Sequence, residues 1–297
     1  MAEIRRRRPR AADLEESEMP SEFTLEKFSQ NPFYQEVNRR LVALARLRPG
    51  LRVVDLGAGT GAVTRLLVEE VGGIGGGAPS GRAQAEVIAV EPSESAIEVA
   101  RRNLENIGGA VVAFVQGGAE RLSQLVRKPV DAVFFCNAIH LVKEKAAVVQ
   151  EVYRSLRKGG TFSFSTSFFQ GAEPPESLQF YRRWMMKALR FLREQYGISP
   201  DREQRAMARQ PLSADDYVSL LMANGFQVRE SQVVPVPMTL KGFEDISEYS
   251  LFIEGALPGV PLDKGSAALK FGAREAFAEL GLETSPRNWL LVVASKE

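Results

Sequence analysis

Val53-Val54-Asp55-Leu56-Gly57-Ala58-Gly59-Thr60-Gly61 runs from an apolar, strand-favouring pair into a turn with glycine at every second position. Val63, Leu66, Leu67 and Val71 then recur at helical spacing until Gly72 ends the pattern. A strand that breaks at glycine and restarts as a helix presents bare backbone N–H groups beside the positive end of the helix dipole. Glycine lets the polar part of a ligand lie against the main chain, where a side chain would block it. A tight turn with no ligand is the plain alternative.

The spacing narrows the ligand. A phosphate-cradling loop would end in Gly-Lys-Ser/Thr, whereas Gly61 is followed by Ala62-Val63. The dinucleotide pattern G-x-G-x-x-G fails too, because the third glycine comes one residue early, which leaves a dehydrogenase a distant reading. Downstream, Val87-Ile88-Ala89-Val90 reads as a second buried strand closed by Glu91-Pro92. An acid at that strand tip accepts both ribose hydroxyls in nucleotide-binding sheets. The rival reading makes Glu91 a capping charge, since Ser95 and Glu98 suggest a helix capping box next to it.

Strand and helix patterns keep alternating. Strand Val111–Val115 precedes a helix around 119–126, strand Asp131–Cys136, a helix over 143–156, a Lys158-Gly159-Gly160 turn and strand Thr161–Thr166. Later, Ser213 and Asp216 cap a helix ending at Asn224-Gly225, followed by strands over about 226–236 and 288–295. The pattern predicts an α/β fold, a doubly wound, seven-stranded and mostly parallel sheet with helices on both faces. Ligands of such sheets sit outside the carboxyl ends of the strands.

The D-L-G-x-G-x-G run at 55–61 resembles motif I of the class I S-adenosylmethionine (SAM) dependent methyltransferases, and the chain is similar to their small-molecule, ubiquinone/menaquinone-type members. The resemblance covers roughly 51–166 plus the two last strands. It implies a Rossmann-like fold with an antiparallel seventh strand, SAM as cofactor, and cofactor contacts at Asp55, Gly57, Ala58, Gly59, Gly61, Glu91 and Pro92. Gln116-Gly117-Gly118-Ala119-Glu120 falls where these enzymes hold the adenine, often with an acid at the position of Gly118. The chain departs from that pattern, so Gly118, Ala119 and Glu120 are the expected contacts, with Glu120 or a backbone carbonyl replacing the acid. Asn137-Ala138-Ile139-His140 matches the motif IV region, whose backbone meets the methionine part of the cofactor, which adds Asn137.

Two insertions, 168–210 and 239–286, start at the carboxyl side of the sheet. With the leading segment 21–48 they are expected to form a helical lid over a SAM-binding core of about 50–167. One domain over 21–297 follows, after a disordered tail, 1–20, in which Arg5 to Arg8 and Arg10 are offset by Asp13, Glu15, Glu16 and Glu18. The glycine-rich 72–84 reads as a mobile surface loop without chemistry.

In the lid, 174–196 shows two apolar stripes: Leu178, Tyr181, Met185, Leu189 and Leu192, then Phe180, Trp184 and Phe191. A helix with one buried face needs one stripe. The second must meet an apolar ligand, the rest of the lid, or a second subunit as a homodimer. Phe33, Tyr34, Phe168, Tyr181, Trp184 and Met185 are the expected contacts to a hydrophobic acceptor, whether aromatic, polyketide, quinone-like or isoprenoid, as in natural-product biosynthesis. A phenolic oxygen or amine acceptor needs only a modest base, whereas a carbon acceptor needs a proton removed at some stage. His140, the sole histidine, and Glu173, with Glu176 in the same turn, are the candidate bases. A neutral His140 hydrogen-bonded within its loop is the alternative to catalysis.

Composition sets the outer bounds. A formal net charge of +1 gives no global attraction to nucleic acid or anionic membrane. A nucleic-acid methyltransferase is the rival enzyme, but residues 137–140 carry neither Asn/Asp/Ser-Pro-Pro-aromatic nor a Pro-Cys nucleophile. A SAM-binding pseudoenzyme scaffold is the rival outside enzymes. One cysteine, Cys136, in an apolar run excludes an internal disulfide and fits a reducing cytoplasm; with one histidine, it makes a His/Cys metal site unexpected. No run approaches ~18 apolar residues, and the N-terminal arginines precede no apolar stretch, so neither a membrane span nor a secretory signal is expected.

Overall fold

The computed structural model describes residues 23–72, 84–201 and 211–297. The expected tail, most of the glycine-rich loop and the end of the first insertion lie outside the described residues. Seven strands form one sheet: β1 (Arg52–Leu56), β2 (Glu86–Glu91), β3 (Val111–Gln116), β4 (Val130–Cys136), β5 (Leu156–Thr166), β6 (Phe226–Thr239) and β7 (Thr284–Lys296). Their order is β3-β2-β1-β4-β5-β7-β6. The first five run parallel, and β7 pairs antiparallel with both β5 and β6. The chain winds outward from β1 to β3, then crosses back to β4. That reversal leaves a crevice at the carboxyl ends of β1 and β4, the place where open α/β sheets bind ligands.

Central strands are apolar on both faces because helices cover both. Val53, Val54 and Leu56 are buried, as are Val130 and residues 132–136. On one face α6 (Lys145–Ser155) and α8 (Ala214–Ala223) add Val148, Val149, Val152, Tyr217 and Leu221 to a core with β4 and β5. On the other, α2 (Pro32–Leu44) and α3 (Ala62–Gly72) join the inserted helices α7 (Leu178–Tyr196), α9 (Leu240–Ile246), α10 (Ser250–Ala256) and α11 (Leu262–Leu280) in a larger core.

Several boundaries differ from the sequence reading. β5 starts at Leu156, so Lys158-Gly159-Gly160 lies inside the strand, with a register shift against β4 and Gly159 at φ +75° absorbing the bend. β6 and β7 each extend toward the inserted helices, because their long antiparallel pairing supplies partners for both backbones out to Thr239 and Thr284. The helix after β2 (α4, Glu94–Leu104) is capped by Ser93, whose Oγ accepts from the Ala96 N–H at 3.3 Å. No Ser95–Glu98 capping box forms; Ser95 Oγ bonds Ser93 Oγ instead. The Ser213–Asp216 box forms as expected, with both reciprocal bonds present.

The two stripes of α7 merge into one broad buried face of Phe180, Tyr181, Trp184, Ala188 and Leu192, while Leu178 and Met186 stay exposed. Phe180 packs on Phe243 and Phe277 with ring centroids 4.6 and 5.0 Å apart, and Phe191 stacks on Phe271 at 4.5 Å. The second stripe is thus largely absorbed by α9 and α11. Gly272 allows the close approach of α11: a Cβ there would stand 2.6 Å from the Trp184 carbonyl oxygen and 2.9 Å from the Ala188 nitrogen.

Candidate active site

The glycine turn lies at the switch point. Gly57, Gly59 and Gly61 all have positive φ, which accounts for glycine at each. The reading of bare N–H groups does not hold for this loop. Gly57 and Ala58 both donate to the Val90 carbonyl, Gly61 donates to Ala58, and Gly59 donates to Glu91 Oε2 at 2.9 Å. What the turn leaves for a ligand is space: a Cβ built on Gly59 meets nothing within 4 Å, whereas one on Gly57 or Gly61 meets packed side chains.

Glu91, at the tip of β2, ties this loop to the start of α4, since Oε1 accepts from the Ser93 N–H at 3.1 Å. The Pro92 carbonyl accepts from the Gln116 side-chain amide at 3.2 Å, joining the tips of β2 and β3. Asp55 is placed differently. Its carboxylate is buried beneath the turn and accepts from Thr64 Oγ1 at 2.6 Å, so it props up the first turn of α3. Burial raises its pKa to about 7, against the Thr64 hydrogen bonds that favour its charged form.

At the tip of β3, Gly118 opens a short 3-10 turn, Ala119–Arg121. The Glu120 carboxylate folds back over Gly118, so near that a Cβ at 118 would lie 2.7 Å from its carboxyl carbon. An acidic group therefore stands at the position where the family pattern carries one, delivered by a residue two places later. Asn137, after β4, sits at φ +50° and is fixed there because its Oδ1 accepts from both the N–H and the hydroxyl of Ser167, each at 3.0 Å.

His140 and the acceptor-side residues gather over the ends of β5 and β7. Thr166 is buried, and its Oγ1 accepts from the Phe168 N–H at 3.0 Å while lying 3.1 Å from His140 Nδ1. With the Thr166 hydroxyl donating to Nδ1, the imidazole proton lies on Nε2. Burial first, then Arg287 and Lys145, drop the His140 pKa to about 3. His140 is thus neutral at ordinary pH and presents a donor.

Beside it a narrow aromatic cavity of ≈ 10 Å³, the room of about one water, is lined by Phe28, Phe168, Trp184, Phe243, Phe252 and Arg287, among others, so an acceptor enters only if these walls part. Phe168 and Trp184 reach it directly. Phe33 backs it through Phe28 and Trp289, with ring centroids 5.6 and 6.3 Å away. Tyr34 is buried against Phe28 at 5.4 Å, and Met185 packs in the layer behind. Glu173 Oε1 lies 3.8 Å from an Arg287 nitrogen, and Glu176 sits in the 3-10 turn that opens α7. Sequence reasoning missed Arg287, which stands two residues before the apolar run 289–294 of the last strand. Among the described residues no three His, Cys, Asp or Glu side chains gather as a metal site.

A family model described as a methyltransferase domain matches residues 47–191. The chain is 31% identical over 144 residues to the ubiquinone/menaquinone biosynthesis C-methyltransferase UbiE of Legionella pneumophila, covering 46% of this chain and 52% of that protein. It is 30% identical over 139 residues to the arsenite methyltransferase of Mus musculus, covering 44% and 34%. The chain thus spans about half the length, or less, of these curated relatives. Among solved structures, mycolic acid cyclopropane synthase CmaA1, crystallised with S-adenosylhomocysteine (SAH) and CTAB, superimposes with a TM-score of 0.52 at 16% identity, over 89% of this chain and 84% of that one. Residues 47–191 thus match a methyltransferase domain, and the strand order and the glycine turn backed by Glu91 agree with the class I, SAM-dependent fold.

Proposed function

We propose that this protein transfers a methyl group from SAM to an oxygen or carbon of a hydrophobic small molecule, as a cytoplasmic enzyme. The observation that carries the reading is that the loop after β4 touches both places: Ala138 lies against Gly57 of the glycine turn, and His140 lies 4.3 Å from Phe168 of the aromatic lining. SAM supplies, when bound, an activated methyl on a sulfonium. Glu91 is suited to hold its ribose and Glu120 its adenine amino group, with Asn137 positioning the loop at the methionine end. The aromatic walls exclude water and orient the acceptor, and orientation alone can lower a barrier by up to ~7–11 kcal/mol.

Proton handling falls to two groups. With its proton on Nε2, His140 donates a hydrogen bond rather than removing a proton, which leaves Glu173 as the carboxylate suited to act as base. The helices of 23–45, 168–201 and 239–282 serve as the lid that must part to admit the acceptor.

The test is calorimetry with SAH followed by transfer of labelled methyl from SAM to a panel of phenols, naphthoquinols and polyprenyl alcohols. Micromolar SAH affinity and labelling of an apolar acceptor are expected. Absence of SAH binding, or labelling confined to polar sugars, amino acids or nucleic acid, overturns the reading.

A further inference from the structure

Arg287 occupies an unusual place for a cation. Its guanidinium carbon lies over two rings, 4.8 Å from the Phe168 centroid and 5.4 Å from that of Tyr181, and Phe168 in turn sits tilted against His140 at 4.3 Å. The arginine side chain is only 11% exposed. A buried structural cation is normally met by a carboxylate at hydrogen-bonding distance. Here Glu173 is 3.8 Å away and itself 46% exposed. Of the five guanidinium N–H groups, the one on Nε has a bond of ordinary length, to the Ser167 carbonyl at 2.9 Å. Tyr181 is nine-tenths buried, and its hydroxyl makes no hydrogen bond of normal geometry although Arg287 stands beside it. A buried hydroxyl without a partner thus stands next to a cation that lines the aromatic cavity and whose carboxylate is beyond hydrogen-bonding distance.

We propose that Arg287 and Tyr181 form an oxyanion-recognising subsite at the polar end of the aromatic cavity, so that the acceptor is an apolar ring or chain bearing one anionic oxygen. The inference rests on the methyltransferase reading only for calling this ligand the acceptor. The planar fork of Arg287 matches a carboxylate or an acidic enol or phenol oxygen, and charge-assisted bonds of this kind are roughly twice as strong as neutral ones. Phe168 and Tyr181 contribute cation–π contacts that keep the guanidinium at this place. The aromatic walls then select the skeleton, and the donors select the charge.

The chain's two tryptophans, Trp184 and Trp289, both line the cavity, so their fluorescence reports occupancy. The probes are 2-naphthoate and 2-naphthamide, which share a skeleton and differ in charge, titrated against the SAH-saturated protein. The naphthoate is expected to bind roughly tenfold or more tightly than the amide. Arg287→Gln should shrink that preference to about twofold, and Tyr181→Phe should weaken the naphthoate alone by roughly threefold to fivefold. SAH affinity in each variant checks that the fold and the cofactor end are intact. Equal binding of the two probes, binding of neither, or a preference that survives Arg287→Gln overturns the subsite while leaving the methyltransferase reading standing. A carboxylate preference in a protein without SAH affinity does the reverse.

Discussion

The carboxylate of Glu120 covers Gly118: a Cβ at position 118 would lie 2.7 Å from the Glu120 carboxyl carbon and closer still to both oxygens. Glycine at 118 is thus the condition for Glu120 to fold back. Glu120→Gln is expected to weaken SAH binding roughly tenfold, the scale of a hydrogen bond to a charged group. Gly118→Ala should do nearly the same by displacing an intact carboxylate. Calorimetry showing unchanged affinity in both variants would take Glu120 out of the adenine site.

Glu91 joins the glycine turn to α4 through Gly59 and Ser93. Its replacement by alanine removes a loop support and a ribose acceptor together. SAH affinity should fall ~10²-fold, and the Tm of the ligand-free protein should drop as well, since two backbone donors lose their acceptor. Glu91→Gln keeps an acceptor oxygen, so the melting loss should be smaller. A drop in affinity with no change in Tm would confine Glu91 to ligand binding.

Asp55 makes stability depend on pH in a defined direction. Its pKa is about 7 in the folded protein against 3.8 ordinarily, so the folded state holds the proton more tightly. The stabilisation is fully present below pH ~4 and is lost as pH rises through 7, on the order of 4 kcal/mol at most. Asp55→Asn stays neutral throughout. The denaturant midpoint of the parent protein should decline from pH 4 to 8 relative to that variant. Parallel curves would show that Asp55 titrates normally.

His140 separates a donor from a base. With a pKa of about 3 it adds no limb to the pH–rate profile between 5 and 8. His140→Gln retains an N–H donor and should cost less than ~10-fold in turnover, while His140→Ala should cost more. A ~10²-fold loss in His140→Gln at saturating SAM, with a limb near pH 6.5 in the parent, would restore the general-base role.

Gly272 is a packing test. Alanine is the better helix former by ~1 kcal/mol, yet its methyl would meet the backbone of α7 at Trp184 and Ala188. Gly272→Ala should destabilise by roughly 1–3 kcal/mol through the steric term. A raised Tm would mean the two helices separate without loss.

Much of the sheet is legible in order because a buried parallel strand must be apolar along its whole length. Val87–Val90 and Asp131–Cys136 announce themselves that way. The glycines at 57, 59 and 61 are legible because positive φ leaves few other residues. Strand ends are less so: β6 and β7 run past their apolar stretches because each completes the other's hydrogen bonds. The cap of α4 falls on Ser93 rather than on the Ser95–Glu98 pair that the sequence suggests, since several side chains near a helix start can accept the same N–H.

Local chemistry in the chain determined where a nucleotide-like ligand meets the sheet: strand, glycine turn and acid are contiguous signals whose meaning does not depend on distant residues. Only the tertiary structure decided which donors of that turn are already bonded, that the Glu120 carboxylate lies over Gly118, and that Arg287 meets Phe168 and Tyr181. Those facts join residues from remote elements, and spacing along a chain carries no record of which side chains meet once the sheet and its inserted helices close together.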